Sequence, residues 1–523
     1  MARTPLARAL RSAAADAAAE ASTTSGPDAG PSRRAVLRGA GAMAAATLTG
    51  GLPVATAGGA VAAPGPGAQP RIVVVGAGLA GLSTAYRLRR AGYRATVVEA
   101  ADRVGGRCWS IRDQFADGQV AEHGGELIDQ GHTAVRQLSQ DVGLKLENLL
   151  AGEQKGTEPL YWFDGKPYTY AEATDDIKTI WQQLHTDVSA ASYPTLYDLY
   201  TPRGWELDHM SITDWIAAYV PGGLTSRLGQ LLDVAYNIEY GGESSVQSSL
   251  NMLYLLAYSG QGQLRIFGPS NEKYHVVGGN DQIPARLASL LEGQIQLGTR
   301  LTALADNGDG TWTVTTTTGA RSSSSVADHV VLALPFSLLR SVDLRRANFP
   351  ALKRTAISEL PMGTNSKLQL QFRTRHWRTL GGNGDSYADT GYQSTWEVTR
   401  AQPGTSGILV DYTGGNVGAD FGALSPTAYA QRFLGQIEPV FPGISAAWNG
   451  RVTLDFWKSY PWTLGSYSYW KVGQYTKFAG AERERSNDCH FAGEHTSVDF
   501  QGYLNGAVET GERAAAEVLA DLK

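Results

Sequence analysis

Residues 71–107 read RIVVVGAGLAGLSTAYRLRRAGYRATVVEAADRVGGR, and the order of residue types in this stretch decides the fold. An apolar run, Ile72 to Val75, enters a turn bearing Gly76, Gly78 and Gly81. A helix-forming segment follows from Leu82 to Arg90, and a second apolar run, Ala95 to Val98, ends on Glu99. Strand, glycine-rich turn, helix, strand and acid together form the pattern that binds a dinucleotide. One glycine makes the turn, one lets backbone approach a pyrophosphate, and one lets helix lie close to strand. The first turn of the helix offers free N–H groups and the positive end of its dipole to the phosphates. Glu99, 18 residues beyond Gly81, stands where a carboxylate accepts ribose hydroxyls.

The residues after Glu99 narrow the choice of dinucleotide. Asp102-Arg103-Val104-Gly105-Gly106-Arg107 resembles the second motif of the flavin-containing amine oxidase family, the superfamily of monoamine oxidases and L-amino-acid oxidases. In this reading the glycine pair lets the chain pass close to the cofactor, and Arg107 brings planar donors to phosphate or flavin oxygens. A second block is similar to the family's closing motif: His490-Phe491-Ala492-Gly493-Glu494-His495-Thr496, then Gly502-Tyr503-Leu504-Asn505-Gly506. The resemblance spans about residues 70–523. It implies FAD, held without a covalent link, because Ser466 stands where mitochondrial monoamine oxidases carry the flavin-bonding cysteine.

The resemblance also assigns expectations to single residues. Glu494 accepts hydrogen bonds from the ribityl or phosphate end of FAD. A helix starting near Tyr503 or Leu504 points its N-terminus at the flavin, where it favours the negative charge of the reduced ring. Leu301 lies beside the adenine. Lys367, flanked by apolar residues on a strand, needs a buried partner, and the family joins its lysine through water to the flavin. Tyr467 and Tyr503 form two walls of an aromatic cage that flank the substrate nitrogen and exclude water. The implied reaction takes hydride from an amine to give an imine, hydrolysed to a carbonyl compound and ammonia, with O2 converted to hydrogen peroxide.

The implied fold class is α/β with mixed α+β character: a Rossmann-type FAD-binding domain interleaved with a substrate-binding domain. The expected partition is a twin-arginine signal peptide over 1–63, a linker over 64–70, FAD-binding segments at 71–140, 268–338 and 481–523, and substrate-domain segments at 141–267 and 339–480. Within the second FAD segment, Leu301 to Ala305 and Trp312 to Thr317 flank Asn307-Gly308-Asp309-Gly310, the chemistry of a hairpin.

Composition sets limits on function. The chain has 523 residues, enough for about two domains. A net charge of −5 and a pI near 6.0 imply no basic face, which argues against nucleic acid as a partner. Two cysteines, Cys108 and Cys489, support neither a disulfide framework nor a zinc site. Residues Ser32 to Arg38 look like a twin-arginine export signal, followed by an Ala/Gly-rich segment to about Ala63, so an exported, extracytoplasmic enzyme is expected. No later stretch supplies 18 apolar residues, so no membrane-spanning helix is expected in the mature protein. The resemblance is compatible with a homodimer.

The substrate is less legible. Glu126, in Glu122-His123-Gly124-Gly125-Glu126, either greets a second amine or bonds within the flavin neighbourhood. The run from Tyr236 to Leu255 with Tyr274 to Asn280 resembles bacterial and fungal L-amino-acid oxidases, which makes an α-amino acid the first expectation. Its carboxylate then needs a cation, and Arg265, Lys273 and Arg373 are candidates. Simple amines or diamines come second. A flavoprotein without oxidase turnover comes third.

Overall fold

The structure, a computed structural model, describes residues 69–523. The expected twin-arginine segment lies outside the described residues. The quoted stretch forms the strand Ile72–Val75, the helix Leu79–Arg90 and the strand Ala95–Val98. These two strands sit inside a five-stranded sheet whose order is Cys489–Phe491, His329–Leu332, Ile72–Val75, Ala95–Val98, Ile295–Gln296. All of its pairings are parallel. Buried on both faces, Ile72–Val75 and His329–Leu332 read as unbroken apolar runs rather than as alternation.

Three distant parts of the chain share the core around this sheet. Ile72, Leu82 and Val97 pack with Ile283, Leu287 and Val331, and with Ala492, Val508 and Val518. The helix Leu79–Arg90 lies against the C-terminal helix Leu504–Asp521, close enough that Thr84 Oγ1 donates to the Gly511 carbonyl at 3.0 Å. A Cβ on Gly511 would stand 2.2 Å from the Ala80 carbonyl oxygen, so glycine sets this helix–helix distance. The expected hairpin is present as Thr299–Asp306 and Trp312–Thr318, antiparallel, with Asp306 and Asp309 accepting from Gly308 and Thr311 N–H across the turn.

The hairpin belongs to a four-stranded sheet, two further sheets have two strands each, and the remaining described strands make a seven-stranded sheet beside a helical layer. The sheet order is Trp448–Phe456, Ser366–Phe372, Gly407–Thr413, Ser394–Glu397, Gly382–Ala388, Glu158–Phe163, Lys166–Tyr168. Alternation along Ser366–Phe372 puts Leu368, Leu370 and Phe372 into an apolar core. Lys367, Gln369 and Gln371 face the other way, against the segment from Ala116 to Glu126, whose carbonyls they bond. The helices include Tyr170–Ala191, Ile212–Tyr219 and Arg227–Tyr240, with Thr169 and Ser211 making capping boxes with Glu172 and Asp214. Among the described residues no helix is long and apolar enough to cross a membrane.

Candidate active site

One cavity of about 1120 Å³ runs from the carboxyl ends of the parallel strands, at Val75, Val98, Ala333 and Gly493, to the helical layer and the seven-stranded sheet. Open parallel sheets bind ligands at this end of their strands. Gly76, Gly78, Glu99, Arg107, Glu126, Arg265, Leu301, Lys367, Tyr467, Glu494, Tyr503 and Leu504 all line it. Gly81 does not; it lies in the first turn of the helix Leu79–Arg90, facing the strand.

The glycines divide their work as the turn requires. Gly76 has φ +104°. A Cβ on Gly81 would stand 1.9 Å from the Gly76 carbonyl oxygen, so the helix could not seat on the strand. A Cβ on Gly78 would meet nothing within 4 Å. The space in front of Gly78 is therefore not filled by protein, which is what a passing pyrophosphate needs. Each oxygen of Glu99 accepts one backbone N–H, from Ala77 at 2.7 Å and Ala101 at 2.8 Å, leaving acceptor capacity on both.

Arg107 and Glu494 make a clasp. Arg107 Nη1 donates to Glu494 at 2.9 Å and to the Ser466 carbonyl at 2.7 Å. Glu494 also accepts from Ser468 N–H, Ser468 Oγ and Gly502 N–H. Burial pushes this carboxyl up, but Arg107 and the hydrogen bonds outweigh it and hold it below the ordinary range. Four acceptor positions are thus taken. Its oxygens fasten Arg107 to the loop before Tyr503 at the edge of the cavity.

Lys367 is buried and its Nζ donates to Glu126 at 2.7 Å and to the carbonyls of Glu122 and Gly124 at 2.9 and 3.3 Å. Glu126 accepts from Trp396 Nε1 on its other oxygen at 3.0 Å. Burial would raise its carboxyl, but the Lys367 charge prevails and holds it low. These contacts place Glu126 in a buried ion pair with Lys367, with one partner on each oxygen.

Tyr467 Oη shares a hydrogen bond with Tyr412 Oη at 2.8 Å, and Tyr503 Oη donates to Glu239 at 2.6 Å. Gly502, which precedes Tyr503, lies against Tyr467: a Cβ built on it would stand 3.3 Å from the Tyr467 ring. Leu504 begins the C-terminal helix beside them. Glu239, in the last turn of Arg227–Tyr240, is pushed up to about 7 by burial, against the pull of the Tyr503 hydrogen bond. Glu272 is pushed up to about 8 by burial, opposed by Arg400. Arg400 itself pairs with Asp385 and Glu153.

Of the cations considered for a carboxylate, only Arg265 lines the cavity. Its side chain is exposed and has no hydrogen bond or ion pair among the described residues. Arg373 donates to the carbonyls of Ala446 and Trp448, and Lys273 to Gln130, away from the cavity.

A family model described as flavin containing amine oxidoreductase matches residues 79–519. The chain belongs to that family. The putative L-amino-acid oxidase YobN of Bacillus subtilis is 26% identical over 482 residues, covering 86% of this chain and 94% of its own. The L-amino acid dehydrogenase of Synechocystis is 26% identical over 468 residues, with the same coverage of both chains. The flavin-containing amine oxidase A of Sus scrofa is 25% identical over 471 residues, 86% of this chain and 84% of its own. Cyclohexylamine oxidase from Brevibacterium oxydans superposes with a TM-score of 0.75 at 22% identity, covering 87% of this chain and 100% of its own, which supports the fold alone.

This amine oxidoreductase thus has a cavity whose two ends suit a flavin dinucleotide and an amine. Its two cysteines are both free and buried. Cys108 lines the cavity, but burial pushes its thiol well up and its Sγ donates to the Asn280 carbonyl. Ser466 Oγ is tied to Asn365 at 2.6 Å. Sequence reasoning passed over Glu239, Glu272, Asp385, Arg400 and Trp396. Glu239 lay inside the stretch YNIEYGG, which was read only as a whole for its resemblance to bacterial and fungal L-amino-acid oxidases.

Proposed function

We propose that this flavoenzyme is an FAD-dependent oxidase that deaminates an L-amino acid with a basic side chain to the 2-oxo acid, ammonia and hydrogen peroxide. One observation carries the choice. The amine half of the cavity presents six carboxylates (Glu126, Glu153, Glu158, Glu239, Glu272 and Asp385) against three cations (Arg265, Lys367 and Arg400). Lys367 and Arg400 are already paired. That leaves Glu158, Glu239 and Glu272 without a cationic partner, and Arg265 without an anionic one, among the described residues; Glu158 is exposed to solvent, so Glu239 and Glu272 are the two acids left inside. Two ammonium groups and one carboxylate match this remainder.

The residues that would hold FAD are Gly76 and Gly78 at the pyrophosphate, Glu99 at the ribose, Leu301 near the adenine, and Arg107 with the N-terminus of Leu504–Asp521 near the flavin. The void before Gly78 fits that placement. Bound FAD supplies the two-electron oxidation of the amine and the reduction of O2. We read it as non-covalent, since Ser466 and Cys108 are both engaged with protein partners. The protein's own part is orientation and charge placement. Tyr467 and Tyr503 flank the nitrogen, the Lys367–Glu126 pair fixes a charge beside it, and Glu272 takes the side-chain cation.

A second reading rests on the exposure of Arg265. If a guanidinium at the surface holds no carboxylate, the same excess of acids suits a diamine and an aldehyde product. A peroxide assay separates the readings. L-Lysine or L-arginine should exceed L-leucine by at least about tenfold in kcat/KM, equivalent to about 1.4 kcal/mol, with 2-oxo acid formed. Peroxide from putrescine but from no amino acid would select the diamine, and no peroxide from any amine would end the oxidase reading. Acid precipitation of the same preparation should leave all flavin in the supernatant; flavin in the pellet refutes the non-covalent assignment.

A further inference from the structure

Oxidation of an amine begins with a protonation problem. At neutral pH the substrate nitrogen arrives as an ammonium, which has no lone pair to support loss of the α-hydrogen with its electrons. We propose that Glu239 is the proton acceptor of the reaction, taking one proton from the α-ammonium group as it enters the space between Tyr467 and Tyr503. The inference rests on the reading that an amine nitrogen lies between these tyrosines, and not on the nature of its second charged group. The N–H bond breaks, its electron pair stays on nitrogen, and the proton forms an O–H bond on Glu239. The freed lone pair then stabilises the carbon as the α-hydrogen departs with its electron pair.

Position singles out Glu239 first. It lines the cavity, it is tied to the cage by the 2.6 Å bond from Tyr503 Oη, and it has no cationic partner among the described residues. The other groups nearby are spent or unsuited. Glu126 is held ionised by Lys367 and Trp396, and Glu494 accepts four hydrogen bonds. Burial holds the phenols of Tyr412, Tyr467 and Tyr503 high. The His132 ring, 5.1 Å from that of Tyr503, is bonded to Asp129 and does not line the cavity.

The charged environment suits an acceptor near neutrality. Burial raises Glu239 to about 7, with Tyr503 lowering it and Asp129 raising it. Its electrostatic neighbours are otherwise Glu272 and phenols: Tyr236 and Tyr240 from its own helix, Tyr387 and Tyr412 from the sheet, and Tyr467. Transfer from the substrate ammonium to such a carboxyl is uphill in water, and the dry space between the tyrosines favours it by penalising the charged ammonium. An acceptor works best when its own affinity for the proton lies near the operating pH.

The test is anaerobic stopped-flow reduction of the holoenzyme's flavin by its best substrate from pH 5.5 to 10. In the unmodified enzyme the rate rises with pH through a limb near 7, because Glu239 must be deprotonated to act. Glu239→Gln should lose that limb and react about 100-fold more slowly at pH 7. The deficit should shrink below about tenfold at pH 10, where the amine arrives already deprotonated. Glu239→Asp should keep the limb. Glu272→Gln should weaken substrate binding and leave the limb in place. Tyr503→Phe, which removes a donor from the carboxylate, should move the limb to higher pH, and this reads the same group if Glu239→Gln fails to fold. A limb unmoved in Glu239→Gln or Tyr503→Phe, or a Glu239→Gln deficit equal at every pH, overturns the proposal alone. A flavin that no amine reduces overturns the functional reading with it.

Discussion

At the nucleotide end of the cavity, Gly76 and Gly78 present backbone, and Gly81 in the same short stretch seats the helix behind them. At the amine end, Lys367, Glu239, Glu272 and Tyr503 come from four separate segments and present buried charge and phenol. The first end recognises a diphosphate, which needs close approach and N–H dipoles. The second must hold a cation in a dry space, which needs carboxylates whose burial is compensated. The two ends should therefore fail in different ways when altered.

The largest effect is expected at the backbone end. Gly81→Val places a side chain on the Gly76 carbonyl and should abolish the fold, read as loss of soluble protein. Gly78→Ala should leave the apo-protein's stability within about 0.5 kcal/mol, since its new methyl meets no protein atom, while FAD affinity falls at least about tenfold, or about 1.4 kcal/mol. Retained affinity in a fluorescence titration would mean that the pyrophosphate passes elsewhere.

Next comes the buried pair. Lys367→Met strands Glu126 and should cost about 3–5 kcal/mol in urea denaturation, and adding Glu126→Gln should recover most of that loss. The sign with pH follows from the depressed Glu126 carboxyl. Its stabilisation is complete above the ordinary carboxylate range and fades as pH falls through its lowered value. The acid sensitivity of the double variant should therefore be smaller. If the single substitution is neutral, the two residues are not coupled.

The smallest effect belongs to the exposed cation. Arg265→Ala should raise KM for a basic amino acid by about tenfold, roughly 1.4 kcal/mol, with kcat and the KM of a diamine unchanged. Equal KM values for both proteins would move the substrate carboxylate to another group.

The same division explains what was legible in the sequence. The strand, turn, helix and second strand from Ile72 to Val98 could be read directly, because each glycine answers to a neighbour a few residues away. The hairpin around Asn307 to Gly310 was readable for the same reason. Lys367 announced that it required a partner, but the identity of that partner depended on a strand laying its polar face against Ala116 to Glu126. Glu494 was legible from its motif, but the four donors that gather on it, from Arg107, Ser468 and Gly502, were not, since they come from distant segments. Glu239 gave no sign, because a glutamate on an amphipathic helix ordinarily faces water, and only the approach of Tyr503 from the far end of the chain makes it special.

The order of strands in the parallel sheet has a consequence for biosynthesis. Cys489–Phe491 closes one edge of that sheet, and Leu504–Asp521 covers the helix that follows the first strand. A nascent polypeptide still on the ribosome without these elements lacks part of its nucleotide pocket, however much of the rest has collapsed. Loading of the coenzyme should therefore follow synthesis of these elements, and a product cut short before Cys489 should hold it poorly.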